Sequence, residues 1–428
     1  MTGDLDLPRS PLVLGAARSG RAAARALSGA GLEPVRADDG PEAAVDPPCP
    51  VVEATVGLLD QADVLVKSPG VPSTHPVVVH ARQRGLPIWS EVELGYRLLP
   101  PGARVIGVTG TNGKTTTTEL VGAMLREAAL PHVVCGNVGV ALCDVAGAVP
   151  EGGIVVAELS SFQLEDVHAL RCDAAAITNL TPDHLDRHGD MEAYGAAKLR
   201  IFERQDAGDF AILNDDDPWC AALGRLPGGG AVVRVRAAEA DVLGFDEARL
   251  RGDHNRENVA VAAALARALG VEDGPLRAAV RAFAPVPHRL EDCGAVAGVG
   301  FWNDSKATNV DAALKALTAF PDGAVRIILG GSDKGADFGP LADALPGRVR
   351  CAYLTGPAGL RMAEALARAG VEHVACAGFD EAVRRAAADA TAGEQVLLAP
   401  ACASFDAFAD YTARGDRFRA LAAELGAA

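Results

Sequence analysis

At 428 residues, 49% hydrophobic and 22% charged, the chain is too long for one core and has the composition of a multidomain globular protein. It carries no apolar run long enough to span a membrane and no basic-then-apolar start over Met1–Pro8, and its nine cysteines are scattered without a C-x-x-C pair, which fits a reduced cytoplasm rather than a disulfide framework or metal cluster. A net charge of −16 disfavours nucleic-acid binding, so an anionic ligand must be met by locally concentrated cations.

Leu12 to Leu14 reads as a strand running into Gly15-Ala-Ala-Arg-Ser-Gly20 and an Ala/Arg-rich helix, and Val35 to Asp38 as a second strand ending in acid. This is the outline of a nucleotide-binding βαβ unit, but Ala17 replaces the second glycine of G-x-G, which lets a pyrophosphate approach the backbone. A tight NAD site is therefore disfavoured. A looser site for a nucleotide-diphosphate headgroup fits, with Asp38 or Asp39 on a ribose or base. A strand from Val64 to Lys67 then meets the turn Ser68-Pro-Gly70-Val-Pro72, at the strand end where open α/β sheets bind ligands. Leu98 to Ala103 is the first linker, and a domain boundary falls there.

The next stretch, Val105 to Thr116, passes from β-branched residues through Gly110, Thr111, Asn112 and Gly113 to Lys114, Thr115 and Thr116, with a helix-compatible segment from Thr118 to Leu130. Strand, glycine-rich loop and helix N-terminus in that order make a phosphate cradle. Lys114 would neutralise the β/γ-phosphates and the Thr115 hydroxyl would bind Mg²⁺. Val108 stands where the general pattern has glycine. A strand from Ile154 to Ala157 ends at Glu158, where a second Mg²⁺-binding acid belongs. Ala174 to Thr178 is another strand, opening onto the ionisable segment Asn179 to His188. Asp190 caps a helix, Met191 to Phe202, that carries Lys198. Asp253 to Asn258 opens a buried helix whose first-turn amides either cap it or read an adenine edge. Pro285 to Arg289 is the second linker. Beyond it, strands at Val325–Leu329, Ala352–Leu354 and Val396–Leu398 alternate with Ala-rich helices.

Of 40 Lys and Arg residues, only Lys67, Lys114, Lys198, Lys306, Lys315 and Lys334 are lysine. Positions kept as Lys in such a chain are candidates for a compact ammonium, or for chemistry that guanidinium cannot do.

Thr109-Gly-Thr-Asn-Gly-Lys-Thr-Thr116, Glu158-Leu-Ser-Ser-Phe-Gln163, Asn179-Leu-Thr-Pro-Asp-His-Leu-Asp-Arg-His188, Ala196-Ala-Lys198, His254-Asn255, His288-Arg289 and Asn303-Asp-Ser-Lys-Ala-Thr-Asn309 follow the order seen in the Mur ligases of peptidoglycan synthesis. The resemblance runs from about Leu12 to Leu425. Gly330 to Phe338 and Pro400 to Asp406 resemble the D-glutamate-adding branch. It implies an α/β protein of three domains: Rossmann-like (1–100, binding the UDP of the acceptor), P-loop ATPase-like with a mostly parallel sheet (101–286), and Rossmann-like again (287–428, binding the amino acid). It further implies a cytoplasmic, monomeric, ATP-dependent amide ligase using two Mg²⁺ ions, with UDP-N-acetylmuramoyl-L-alanine and D-glutamate as substrates and an acyl-phosphate intermediate.

Residue by residue, the resemblance implies Lys114, Glu158, His184 and Lys198 as catalytic. Thr115, Glu158, His184 and a carbamylated Lys198 would serve the Mg²⁺ ions. Gly110 to Thr116 with Asn255, Asn258, Arg289 and Asp304 would bind ATP. Arg18, Ser19, Asp38, Asp39, Ser68 and Gly70 would bind UDP, with Arg18 and Ser19 in the segment that matches the family least. Asn137, Ser160, Gln163 and His184 would bind the rest of the acceptor, and Lys306, Thr308, Lys334, Ser404 and Tyr411 the D-glutamate. Tyr411 stands where the family often has Phe. The rivals are another Mur-type or folylpolyglutamate-synthetase-like ligase, against which the first domain and Pro400–Asp406 speak, and a non-catalytic nucleotide-binding module, which predicts loss of Glu158, His184 or Lys198.

Overall fold

The computed structural model describes residues 7–40, 51–332 and 335–427. Among them are three sheets, in a chain that divides into two compact units: Met1–Asp246 with Glu257–Ala282, and Glu247–Arg256 with Phe283–Ala428. The described fold is α/β, as the strand–helix alternation predicts.

The first unit holds two parallel sheets. One runs β3-β2-β1-β4-β5 and is built from β1 (Pro11–Leu14), β2 (Val35–Asp38), β3 (Val51–Glu53), β4 (Val64–Lys67) and β5 (Ile88–Ser90). The strand order reverses between β1 and β4, and an open α/β sheet binds ligands at such a switch point. There Gly15 lies so close to Ser68 that a Cβ on it would sit 2.6 Å from the serine Cβ. The other sheet runs β11-β10-β9-β6-β8-β7, from β6 (Arg104–Thr109), β7 (His132–Gly136), β8 (Ile154–Glu158), β9 (Ala174–Ile177), β10 (Phe210–Asn214) and β11 (Ala231–Val235). Its central strands are apolar on both faces, since helices cover both sides of a parallel sheet. Every residue of β8 and β9 is buried, and Glu158 at the end of β8 and Thr178 just after β9 lie at the carboxyl ends of parallel strands in the same sheet.

Glu93 joins the two sheets into one unit. It lies in the helix Glu91–Arg97, capped by Ser90, and is fully buried. Its carboxylate accepts from the backbone N–H groups of His168 (2.8 Å), Ala169 (2.8 Å) and Leu170 (3.1 Å) and from Arg97 Nε (2.8 Å). Beside it Glu91 accepts from the Cys143 N–H at 2.6 Å, and burial pushes the Glu91 carboxyl up to about 7.

The second unit holds a sheet of order β12-β13-β17-β14-β15-β16, from β12 (Glu291–Val296), β13 (Val299–Asn303), β14 (Val325–Gly330), β15 (Val349–Thr355), β16 (His373–Ala375) and β17 (Gln395–Leu398). Only β12 and β13 pair antiparallel. That hairpin is absent from the sequence reading, because Asp292 and Gly294 are poor strand formers and obscure the alternation. The helix after the phosphate loop spans Lys114–Glu127, four residues earlier than the apolar pattern suggests, because Gly113 (φ 83°) serves as its left-handed N-cap. No helix among the described residues is long and apolar enough to cross a membrane.

Replacing Glu93 by Gln keeps its shape but removes the charge that its amide and guanidinium donors share. The expected outcome is a loss of about 3 kcal/mol in chemical denaturation; a loss below about 1 kcal/mol would show that the Glu93 charge is not what joins the two sheets.

Candidate active site

The phosphate loop is fixed by backbone geometry. Gly110 has φ 148°, and a Cβ there would fall 1.9 Å from the Thr178 hydroxyl. Asn179 holds the loop from below: its Oδ1 accepts from the Asn112 N–H (2.9 Å) and its carbonyl from the Thr111 N–H (2.9 Å). Thr178 Oγ1 donates to the Asn112 carbonyl at 2.6 Å. The loop therefore keeps its shape through contacts behind it, leaving the start of the helix Lys114–Glu127 as an anion cradle.

Thr115 and Glu158 meet. Thr115 Oγ1 donates to Glu158 Oε2 at 2.5 Å, and Asn137 Nδ2 donates to Glu158 Oε1 at 2.9 Å. A threonine hydroxyl and a carboxylate are the hard oxygen donors that Mg²⁺ takes, so this pair fits the ion. Lys114 Nζ donates to the carbonyls of Gly110 (2.9 Å) and Thr111 (2.8 Å). Lys198 Nζ donates to the same Gly110 carbonyl at 2.7 Å, sits over the Tyr194 ring at 4.6 Å and is 1% exposed. Burial first, then the Lys114 charge, hold the Lys198 amine well below the ordinary lysine range, against the opposite pull of Asp183 and Glu158. Lys198 is a buried side chain, not a surface cation on an amphipathic helix.

His184 sits at φ 55°, a conformation that L-residues adopt rarely, at the start of the one-turn helix Leu185–His188. Its ring packs edge-on against Phe162 (4.8 Å), and its Nε2 is 3.7 Å from Asp183 Oδ2. Ser160 and Gln163 form a reciprocal capping box on the helix Ser161–Leu164, and the Ser160 hydroxyl also donates to Gln163 Oε1 at 2.9 Å. Asn258 lies against the loop: its Oδ1 accepts from Thr117 Oγ1 at 3.3 Å, and a Cβ on Gly113 would fall 2.3 Å from that oxygen.

All six residues assigned to UDP line one cleft of about 450 Å³ at the switch point of the first sheet: Arg18, Ser19, Asp38, Asp39, Ser68 and Gly70. Asn137 and Gln163 line it too. Arg18 commits two N–H groups to the carbonyls of Asn137 (2.6 Å) and Gly139 (2.9 Å). Asp38 accepts from the Ala16 N–H at 2.6 Å, which shapes the glycine turn. Asp39 pairs with His75 Nε2 at 2.9 Å; His75 Nδ1 accepts from the Val77 N–H, so Nε2 is the proton-bearing nitrogen.

In the second unit, Lys306 Nζ lies 4.2 Å from the centre of the Tyr411 ring. Thr308 follows one turn on, with its N–H on the Lys306 carbonyl (2.7 Å). Ser404 is 2% exposed, in the turn whose carbonyl accepts from Phe408 N–H. Arg414 is buried one helical turn after Tyr411, where it donates to Ser305 Oγ (3.0 Å), the Ser305 carbonyl (2.8 Å) and the Cys402 carbonyl (3.1 Å). It ties the Asn303–Asn309 and Pro400–Asp406 segments together and is missing from the sequence reading, since one more Arg in an Arg-rich chain carries no signal. Asn255 donates to the Arg251 carbonyl at 2.8 Å. Lys334 lies outside the described residues.

A phosphate loop facing a carboxylate-ended strand, with a buried lysine beside it, is a nucleotide-phosphate site, and comparison with known proteins shows that the chain belongs to the Mur ligase family. Residues 108–243 match the Mur ligase middle domain and residues 288–402 the Mur ligase, glutamate ligase domain. Among its relatives are proteins named UDP-N-acetylmuramoylalanine–D-glutamate ligase. The one from Solibacter usitatus is 43% identical over 87% of each chain, and the one from Myxococcus xanthus 40% identical over 97% of this chain and 98% of its own. A solved structure of a UDP-N-acetylmuramate-alanine ligase from Thermotoga maritima shares the fold, with a TM-score of 0.57 and 18% identity over 96% of this chain and 98% of that one.

Asp304 follows β13, and desolvation pushes its carboxyl from 3.8 up to about 7, with Arg289 pulling the other way. Its folded pKa exceeds the unfolded one, so its penalty is absent below about pH 4 and grows as pH rises toward 7. Asp304→Asn is therefore expected to exceed the unsubstituted protein in thermal stability at pH 8, with the gap closing by pH 4. An equal gap at both would show that Asp304 is not desolvated.

Proposed function

We propose that this chain joins D-glutamate to UDP-N-acetylmuramoyl-L-alanine in the cytoplasm, as a monomer, with ATP cleaved to ADP and phosphate. The observation that carries the reading is the chain of contact from cleft to loop: Asn137 lines the headgroup cleft, bonds Glu158, and Glu158 bonds Thr115 of the phosphate loop. The division into acceptor (1–100), ATP (101–286) and amino-acid (287–428) domains belongs to the same proposal.

In the proposed reaction the alanyl carboxylate takes the γ-phosphoryl group of ATP. The D-glutamate amine then attacks the acyl phosphate, and the tetrahedral intermediate expels phosphate to leave an amide. A carboxylate is a poor electrophile, so the protein's work is positioning and charge neutralisation. The loop N–H groups from Gly110 to Thr116 hold the β- and γ-phosphates, and Lys114 turns from the loop carbonyls onto them. Thr115, Glu158 and His184 would hold the Mg²⁺ ions, which would supply charge neutralisation for the transferring phosphoryl group. Ser160 and Gln163 orient the acceptor. Asn255 and Asn258 contact adenine, Asp304 the ribose and Arg289 the γ-phosphate. Lys306, Thr308, Lys334, Ser404 and Tyr411 hold the dicarboxylic amino acid, for which two cations and two or more hydroxyls are apt partners.

Burial and the neighbouring Lys114 charge, which hold the Lys198 amine below the ordinary lysine range, favour the form that carbamylation requires. Only a neutral amine has the lone pair that attacks CO₂; loss of one N–H proton then leaves a carbamate, which converts a buried base into an anion able to support the ions. A guanidinium could not serve.

Phosphate release from ATP with UDP-N-acetylmuramoyl-L-alanine tests the reading, using D-Glu, L-Glu, L-Lys and meso-diaminopimelate in turn. Mg²⁺-dependent release with D-Glu alone is expected. Lys198→Ala should lose at least about a hundredfold in rate, the scale of one lost electrostatic contact, and recover in part with added acetate. Release with another amino acid would overturn the specificity, and release with none would overturn the reaction.

A further inference from the structure

Arg187, 15% exposed at its side chain, plays no part in the proposed chemistry, yet its guanidinium reaches from the segment carrying His184 to the turn that walls the headgroup cleft. Nη1 donates to the Pro69 carbonyl at 2.5 Å, and Nη2 donates to the Val71 carbonyl (3.4 Å) and to Glu165 Oε2 (3.3 Å). Pro69 and Val71 belong to the Ser68–Pro72 turn that walls the cleft. Glu165 also accepts from Ser73 Oγ at 3.3 Å and faces Lys67 and His188. The guanidinium carbon sits 3.9 Å over the Phe162 ring, and that same ring packs against His184 (4.8 Å) and stacks on His188 (5.4 Å).

The histidine begins a four-residue helical turn at φ 55°, too short a helix to be stable alone. Its N–H donates to Asp183 Oδ1 (2.9 Å) and its carbonyl accepts from the Arg187 and His188 N–H groups, while its ring meets Phe162 and Tyr194. Of these contacts, the Arg187 fork with the Phe162 ring reaches the cleft turn. A lysine could satisfy Glu165 there but could not bridge two carbonyls and a carboxylate with one planar group.

We propose that Arg187 is a positioning residue that couples occupancy of the cleft by a nucleoside diphosphate to the alignment of His184 at the ion site. A diphosphate seated on the Ser68–Pro72 turn fixes the carbonyls of Pro69 and Val71, and through Arg187 and Phe162 it favours the His184 conformation that binds a divalent ion. The coupling rests on the reading of the cleft and of His184 given above, and it is reciprocal, so the ion must tighten the diphosphate equally.

The test uses UDP alone, which fills the cleft without bringing the acceptor carboxylate to the ions. Mn²⁺ affinity is measured by electron paramagnetic resonance of the free ion, in the presence of a non-hydrolysable ATP analogue, with and without saturating UDP. In the unsubstituted protein UDP should tighten Mn²⁺ about fivefold or more. In Arg187→Met the effect should fall below about twofold while UDP still binds through the unchanged cleft residues, and Arg187→Lys should lie between. Should Arg187→Met fail to fold, Glu165→Gln, which removes the carboxylate anchoring the same fork, should show the same loss. UDP binding that leaves Mn²⁺ affinity unchanged, or a full effect in Arg187→Met, overturns the coupling and leaves the cleft standing. No UDP binding to the unsubstituted protein overturns the cleft reading and the coupling with it.

Discussion

Two lysines reach one carbonyl oxygen. Lys114 and Lys198 both donate to Gly110, at 2.9 and 2.7 Å, in a place where Lys198 is almost wholly removed from water. Two ammonium groups that close repel in a low-dielectric setting. Burial and the Lys114 charge both push the Lys198 amine downward, against the pull of Asp183 and Glu158, and Lys114 lies on the carbonyls of the phosphate loop itself. The carbonyl can be shared only because residue 110 is glycine, with its backbone at φ 148° and no space for a Cβ beside Thr178.

That arrangement needs a rigid frame, and the frame is built from buried carboxyl groups that accept from backbone N–H groups, Glu93 most fully. Glu93 gathers three consecutive amides of the His168–Leu170 segment, and Glu91 takes the Cys143 amide. A buried carboxylate is tolerable when its lone pairs are met in this way. The result is that the headgroup cleft and the phosphate loop, which sit at the switch points of two different sheets, belong to one compact unit. Asn137 can then span from cleft wall to Glu158 without the entropy loss of ordering two mobile parts.

Local signals were legible in the sequence and distant ones were not. Thr115 and Glu158 could be named because each is fixed by a strand's end, and strand ends are visible as apolar runs meeting polar residues. Asp38 and Ser68 could be read for the same reason, since Asp38 ends β2 and Ser68 follows β4, and parallel strands deliver their carboxyl ends to one side of the sheet; Arg18 is implied by the family resemblance instead. Arg187, Arg414 and Glu93 depend on partners 12 to 118 positions away along the chain; Arg187 stands inside the Asn179–His188 motif, but the motif does not show that its partners lie in the Ser68–Pro72 turn. The β12–β13 hairpin escaped because a strand containing Asp and Gly is held by pairing rather than by propensity.

The contrast between lysine and arginine sharpens once the contacts are known. Lysine scarcity alone is an imperfect guide: Lys67 is a buried ion-pair partner of Asp166 at 2.9 Å, and Lys315 makes an i,i+4 pair with Asp311. The arginines show the complementary pattern. Arg18, Arg187, Arg200 and Arg414 each spend two N–H groups on backbone carbonyls of segments far away in the chain. A planar fork suits that task, because a single fixed group can bridge two acceptors. The chain thus uses guanidinium groups to brace its segments, and at Lys114 and Lys198 it keeps the one cation whose charge can be turned or given up.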